Sequence, residues 1–201
     1  MSGLLARLHT GLVFQRRVAA LAAGLSNKIP PGAQVLDVGC GDGQISSEIM
    51  RRTAKVSVTG IDVLLRPVTH IPVVQFDGET IPFPDASFDV VMFVDVLHHT
   101  LKPELLLKEA ARVSRRHVLL KDHFRRGFLA ASTLRLMDWV GNAHHGVVLP
   151  YNYLAPAEWN QAYKTARLRT VSVENKIGLY PQPADLVFGR GLHFIALLEK
   201  E

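Results

Sequence analysis

Val35-Leu36-Asp37-Val38-Gly39-Cys40-Gly41-Asp42-Gly43 decides the fold. The stretch predicts a short apolar strand running into a glycine-rich turn, with a helix opening at about Gln44. Gly39, Gly41 and Gly43 alternate through the turn, so the backbone there can take positive φ angles and admit a ligand at close range. Asp37 ends the strand facing whatever lies over the turn. A carboxylate at that place suits an amine-bearing or cationic ligand and repels a phosphate.

On the N-terminal side, Leu4, Leu5, Leu8 and Leu12, and then Val18, Leu21, Ala22 and Leu25, recur at helical spacing. They predict one or two helices, closed off by Pro30-Pro31-Gly32. On the C-terminal side, Ile45, Ile49 and Met50 give the helix after the turn a buried face. Val56–Ile61 is a second strand that stops at Asp62, and Val73–Phe76 a short third one leading to Asp77-Gly78. Phe88–Val94 is the most apolar segment of the chain and suits a central parallel strand covered on both faces. Pro103 starts a helix with Leu106, Leu107, Ala110 and Val113 on one side, and His117–Leu120 is strand five.

Strand and helix alternate in this way up to residue 124. The fold class is therefore α/β, a doubly wound, mostly parallel, seven-stranded Rossmann-like sheet. Leu168–Glu174 and Leu192–Leu198 add an antiparallel C-terminal edge. The chain divides into an N-terminal helical segment (1–32), a cofactor-binding core (33–124), a helical substrate-side insertion (125–165) and C-terminal strands (166–201), all in one domain. Asp37, Asp62, Asp77, Asp95 and Asp122 each fall at or just after a predicted strand end, at the rim where ligands of such sheets bind.

Composition narrows the classes. The chain has 201 residues, 48% of them hydrophobic and 20% charged, which is globular and not disordered. Its single cysteine, Cys40, excludes an internal disulfide framework and a cysteine-built zinc site, and points to a reducing, cytoplasmic setting. The net charge of +5 includes the pairs Arg16-Arg17, Arg51-Arg52, Arg115-Arg116 and Arg125-Arg126. No basic run is interleaved with aromatics, so surface and helix-end charge is favoured over a nucleic-acid patch. The first 36 residues carry no Asp or Glu. That pattern fits an organellar presequence or a membrane-surface helix, and equally a helix packed on the domain, which is preferred.

The glycine turn does not hold a diphosphate. The glycine spacing misses the dinucleotide fingerprint, no Gly-Lys-Ser or Gly-Lys-Thr follows, and Asp37 stands inside the turn. Asp62, 25 residues after Asp37, is placed to accept from both hydroxyls of a ribose. Asp77 is placed to accept from an adenine amine. A ribose, an adenine and a cationic portion together describe S-adenosylmethionine.

With these residues in view, the chain resembles the class I S-adenosylmethionine-dependent methyltransferases that act mostly on small molecules. Val35–Gly43 is similar to the first motif of that family and Gly60-Ile61-Asp62 to the second. Phe76–Val91 is similar to the third, and Val96-Leu97-His98-His99 to the stretch after strand four. The likeness spans roughly residues 33–121. It implies a cofactor site made of Asp37, Gly39, Cys40 and Gly41 around the methionine part, Asp62 and Val63 at the ribose, Asp77 and Gly78 at the adenine, and Val94 and Asp95 on the methionine side. The family's Pro-Gly-Gly turn before strand five is missing here, where Val113–His117 passes straight into the strand.

The acceptor side is less defined. An oxygen acceptor, slightly preferred, needs a base that titrates near neutral pH. The candidates are His98, His99, His123, His144 and His145, with His144 or His145 preferred and one of the pair His98-His99 expected to be structural. Tyr151, Tyr153 and Trp159 are candidates for an aromatic pocket or for core. No metal site is expected, since no His-x-x-x-His spacing occurs. The expected partner is a small-molecule methyl acceptor. The alternatives are an RNA or protein methyltransferase, or a non-catalytic cofactor-binding accessory protein touching a membrane through its N-terminal helix.

Overall fold

The computed structural model describes residues 2–142 and 150–201. The chain opens with a single long helix, α1 (Ser2–Ser26). Strand β1 (Gln34–Val38) leads through the glycine turn into α2 (Gln44–Arg52), followed by β2 (Ser57–Asp62), β3 (Val73–Gln75) and β4 (Phe88–Val94). A 3-10 turn (Leu97–His99) precedes α3 (Pro103–Val113), which runs into β5 (Ser114–His123) with no intervening residue. The last third contributes α4 (Ala130–Asn142), α5 (Pro156–Thr165), β6 (Leu168–Glu174), the short α6 (Asp185–Phe188) and β7 (His193–Lys200).

The seven strands form one sheet in the order β3-β2-β1-β4-β5-β7-β6. Strands β1 to β5 pair in parallel, while β7 pairs antiparallel with both β5 and β6. The antiparallel C-terminal strand is thus seated one place inside the edge, and β6 is the edge itself. After β1 the chain builds outward to β3 and then returns to the other side of β1 with β4. That reversal sets the ligand crevice over the C-terminal ends of β1 and β4.

Two apolar layers cover the sheet. Leu106, Leu107 and Ala110 of α3 and Trp159 and Ala162 of α5 pack on one face, and Leu21, Ala22 and Leu25 of α1 and Ile49 of α2 on the other. Val90, Val91, Met92 and Phe93 of β4 are fully buried, as a central parallel strand requires. Helix α3 starts on Pro103, whose missing N–H costs nothing at a first turn, with Glu104 and Arg112 complementing the helix dipole at its two ends. Among the arginine pairs, Arg51 and Arg52 both bond Glu48, Arg115 pairs with Asp89 and Arg116 with Glu199. The half of α1 from Val18 to Leu25 packs on the domain, as preferred above. No helix among the described residues is long and apolar enough to cross a membrane.

Candidate functional site

The glycine turn is held in shape by its neighbour strand. Gly39 and Cys40 both donate their N–H to the Ile61 carbonyl, at 2.7 and 3.2 Å. Gly39 has φ +72°, and a Cβ there would lie 2.6 Å from Val96 Cγ2, so only glycine fits. At Gly41, also left-handed at φ +59°, an added Cβ would meet nothing within 4 Å. The first glycine is therefore required by packing, and the second borders open space where a ligand can lie against the backbone. The Cys40 thiol packs beside Gly60, whose absent side chain makes room for it. Burial and the nearby Asp37 carboxylate push that thiol far up, so Cys40 is a packing group and not a nucleophile.

Asp37 is buried at 3% exposure. Its Oδ2 accepts from Ser46 Oγ at 2.6 Å, whereas its Oδ1 has no hydrogen-bond partner among the described residues. Burial pushes its pKa up to about 7 against the opposing Ser46 hydrogen bond. A buried carboxylate oxygen without a donor is what an ammonium group would satisfy. Asp62, at the end of β2, accepts from Gly41 N at 2.8 Å through Oδ2 and from Leu64 N at 2.9 Å through Oδ1, which ties the glycine turn to the end of β2. Asp77 is exposed and caps its own turn, taking the N–H groups of Glu79 and Thr80 on Oδ1. Val63 is exposed beside Gly78, where a Cβ would stand 3.1 Å from it. Val94 ends β4 partly buried against the α1–α2 layer.

A second, denser group lies at the same rim, where β4 and β5 end. Asp95 has a left-handed backbone, φ +59°. One of its carboxylate oxygens bonds Lys121 Nζ and the other Arg17, which reaches over from α1. Lys121 is fully buried, and its ammonium also lies 3.3 Å from His193 Nδ1. Asp122 Oδ1 takes His98 Nδ1 at 2.8 Å and the backbone N–H of His123 at 2.8 Å, while Oδ2 takes Leu97 N at 3.1 Å. From α4, Asp138 faces His98 Nε2 and His99 Nε2, each at 3.8 Å, and accepts from Tyr153 Oη at 2.9 Å.

The charges in this group are mutually compensated. Burial alone would raise the Asp95 carboxyl, but the Lys121 and Arg17 cations overcome it and hold it well below the usual carboxylate range. Asp122 is likewise held low against burial, chiefly by His98. Burial opposes a charge on His98, yet the Asp122 carboxylate prevails and raises the imidazole to about 10. The carboxylates of Asp95, Asp122 and Asp138 thus face Arg17, Lys121 and a protonated His98. His123 differs: burial, and then the Lys121 charge, lower it to about 4, so it is neutral at pH 7. Its Nδ1 lies 3.3 Å from Asp122 Oδ1 and 3.6 Å from Asp95 Oδ1. Donor atoms of Asp95, His98, Asp122 and His123 all lie within 4.8 Å of one another, the compactness of a metal centre. Lys121 and His98 are the cations already paired with those two carboxylates.

Of the candidate bases, His123 and His98 therefore meet at the rim. His144 and His145 lie outside the described residues. Trp159 is buried in the core against Tyr163 and Phe194, so it lines no pocket. Its Nε1 donates to the His123 carbonyl at 3.0 Å and so fixes the end of β5. Tyr153 stacks on His98 at 5.4 Å between ring centroids, and Tyr151 lies under Arg135. Sequence reasoning missed Arg17, Lys121, Asp138 and His193. For Lys121 a signal existed: a lysine in register with the buried run Val118-Leu119-Leu120 has to find a partner.

A seven-stranded sheet of this topology, with an acidic, glycine-rich turn and a second carboxylate at the end of β2, defines an S-adenosylmethionine-binding methyltransferase fold. Residues 36–120, less than half of the chain, match the family described as a methyltransferase domain, which supports a class I methyltransferase core that takes S-adenosylmethionine as its cofactor. The fatty-acid O-methyltransferase of Mycolicibacterium smegmatis is 33% identical over 93 residues, which are 42% of this chain and 34% of that one. The 2-methyl-6-phytyl-1,4-hydroquinone methyltransferase of Synechocystis is 37% identical over 95 residues, 42% of this chain and 30% of that one. The matched segment thus spans about a third of these curated relatives. Among solved structures, the putative methyltransferase in complex with the Trm112 activator of Haloferax volcanii has a TM-score of 0.67 at 16% identity, over 95% of this chain and 92% of that one. An S-adenosylmethionine-dependent methyltransferase of Mesorhizobium loti has a TM-score of 0.65 at 16% identity, over 89% and 96%.

Proposed function

We propose that this protein methylates an oxygen of an apolar small molecule, with His123 as the group that takes the acceptor's proton. The observation that carries this reading is the state of His123: a neutral imidazole at the ligand rim, flanked by two carboxylates at 3.3 and 3.6 Å. When bound, S-adenosylmethionine supplies an electrophilic methyl group on a sulfonium. The unpartnered Asp37 Oδ1 suits its ammonium group, and Asp62 and Asp77 suit its ribose and adenine. The glycine-turn backbone at Gly39, Cys40 and Gly41, with Val63, Gly78 and Val94, would form the walls, and Asp95 would close the methionine side.

The acceptor hydroxyl would give its proton to His123 Nε2, which has no hydrogen bond among the described residues. His123 Nδ1–H would then share Asp122 and Asp95, and those carboxylates stabilise the imidazolium as it forms. A base of low pKa is sufficient here, because an oxygen that has gained a methyl group is far more acidic than the starting alcohol. Two relatives support an apolar acceptor by name, a fatty acid in one case and a phytyl hydroquinone in the other.

The test is a mass-spectrometric screen of apolar alcohols, phenols and carboxylic acids with the wild-type protein and His123→Gln. The expected result is an O-methyl product whose rate falls about 100-fold or more in the variant, with S-adenosylmethionine affinity unchanged. A product methylated on nitrogen or carbon, or equal rates in the two proteins, would refute the reading.

A further inference from the structure

Helix α4 has two unlike faces. Its inner side supplies Ala130 and Leu134 to a small cluster with Tyr153 and Leu192, and sends Asp138 to His98 and His99. Its outer side is apolar and bare. Leu129, Leu136 and Trp139 fall on one stripe by helical spacing and are each more than half exposed, and Phe128, just ahead of them, is 84% exposed. Leu129 stands in the left-handed region at φ +57° and caps the helix, its carbonyl accepting from Thr133 N. Leu186 and Val187 of α6 are also exposed, and the two helices are linked where Arg190 donates to Thr133 Oγ1 at 2.8 Å.

The charges around this stripe have one dominant sign. Arg126 precedes it, Arg135 lies along one flank and Arg190 along the other, and none of the three pairs with a carboxylate among the described residues. Arg125 is engaged with Glu158. The acid on the outer surface here is Asp185, at the start of α6, whereas Asp138 is turned inward. Large apolar side chains in a patch, a tryptophan among them, with unpaired arginines at the margin, match the two layers of a bilayer surface: acyl chains below and anionic headgroups above.

We infer that the outer face of α4, from Phe128 to Trp139 with α6 beside it, docks on an anionic membrane surface. The opposite side of the same helix faces the rim cluster of His98, His99 and Tyr153. A protein seated this way would hold its acceptor site next to the lipid, within reach of molecules that partition there. The inference does not depend on which atom is methylated, and its test uses no methyl transfer.

The full chain is mixed with vesicles of phosphatidylcholine, or of phosphatidylcholine and phosphatidylglycerol in equal parts, and bound protein is separated by flotation. Binding is expected to the anionic vesicles only, to weaken with added salt, and to shift Trp139 emission to the blue. Trp159, already buried, should not respond. Phe128→Ser with Trp139→Ser should lower binding about tenfold or more. Arg126→Gln and Arg190→Gln should lower it about fivefold each. S-adenosylmethionine titration of each variant checks that the fold is intact. No binding to either vesicle, or binding equal in the wild type and the variants, would overturn the assignment. So would a wild-type dimer that becomes monomeric in Phe128→Ser with Trp139→Ser, because the face would then belong to a second copy of the chain.

Discussion

The glycine turn and the rim between β4 and β5 lie side by side and are built in opposite ways. The turn is mostly backbone: Gly39 and Cys40 hang on one carbonyl, and its two important acids, Asp37 and Asp62, carry no cation among the described residues. The rim is mostly side chain: Asp95, Asp122 and Asp138 are each matched by a nearby Arg, Lys or His. An unmatched buried carboxylate is costly unless a ligand completes it, whereas a matched one is complete already. The turn is therefore shaped for a cofactor that brings its own positive charge. The rim keeps its charges to itself and leaves His123 neutral between them.

The largest effect should come from breaking that matching where it is driest. Lys121→Met leaves Asp95 largely buried with Arg17 alone, and the loss of a buried partner costs about 3–5 kcal/mol. Chemical denaturation should show it. Asp95→Asn added to Lys121→Met should restore most of the lost stability, because the buried carboxylate is then gone and Arg17, 37% exposed, can be solvated by water. If the single variant is as stable as the wild type, the rim is not the paired network described here.

The turn should respond in binding instead. Asp62→Ala removes the acceptor of Gly41 N and Leu64 N as well as the one expected for the ribose. S-adenosylmethionine affinity should fall by about 2–3 kcal/mol in calorimetry, with little loss of fold. Unchanged affinity would remove Asp62 from the cofactor site.

The two regions also differ in how far the sequence disclosed them. The turn was legible because its determinants are local: glycines at fixed offsets, and aspartates at the ends of strands whose periodicity is plain. The rim was not, because its partners converge from distant parts of the chain. Arg17 and Asp95 are 78 positions apart, and nothing in a leucine-rich helix announces that its arginine crosses to β4. Asp122 and His123 were visible as a strand end, while Lys121 beside them passed for part of the strand. Trp159 was left between pocket and core by the sequence, because an aromatic side chain suits either, and its burial places it in the core.

A pH experiment separates the turn from the rim. Asp37 has a folded pKa of about 7, above its ordinary 3.8. Between those values the folded chain holds more protons than the unfolded one, so stability falls as pH rises from about 4 to 7 and levels off beyond. Asp37→Asn should flatten that slope. An ammonium brought to Asp37 Oδ1 favours the ionised carboxylate, so cofactor binding should release a proton below pH 7. Affinity should then rise by up to about tenfold per pH unit there, which is ~1.4 kcal/mol. Calorimetry in buffers of different ionisation enthalpy measures the released proton directly. A release of zero would mean that the ammonium lies elsewhere.

The smallest effect is expected at the rim's outer cation. Arg17 and Lys121 bond the same carboxylate, but Arg17 is 37% exposed and Lys121 is not exposed at all. Solvent screens the first pair, and Asp95 keeps Lys121 when Arg17 is removed. Arg17→Gln should therefore cost no more than about 1 kcal/mol of stability, well below Lys121→Met. Because Arg17 is the contact that ties α1 to Asp95, its loss should show more clearly in the hydrogen exchange of α1 amides than in the global midpoint. Equal losses for Arg17→Gln and Lys121→Met would mean that the carboxylate needs both cations, and the contrast between a dry inner pair and a screened outer one would fail.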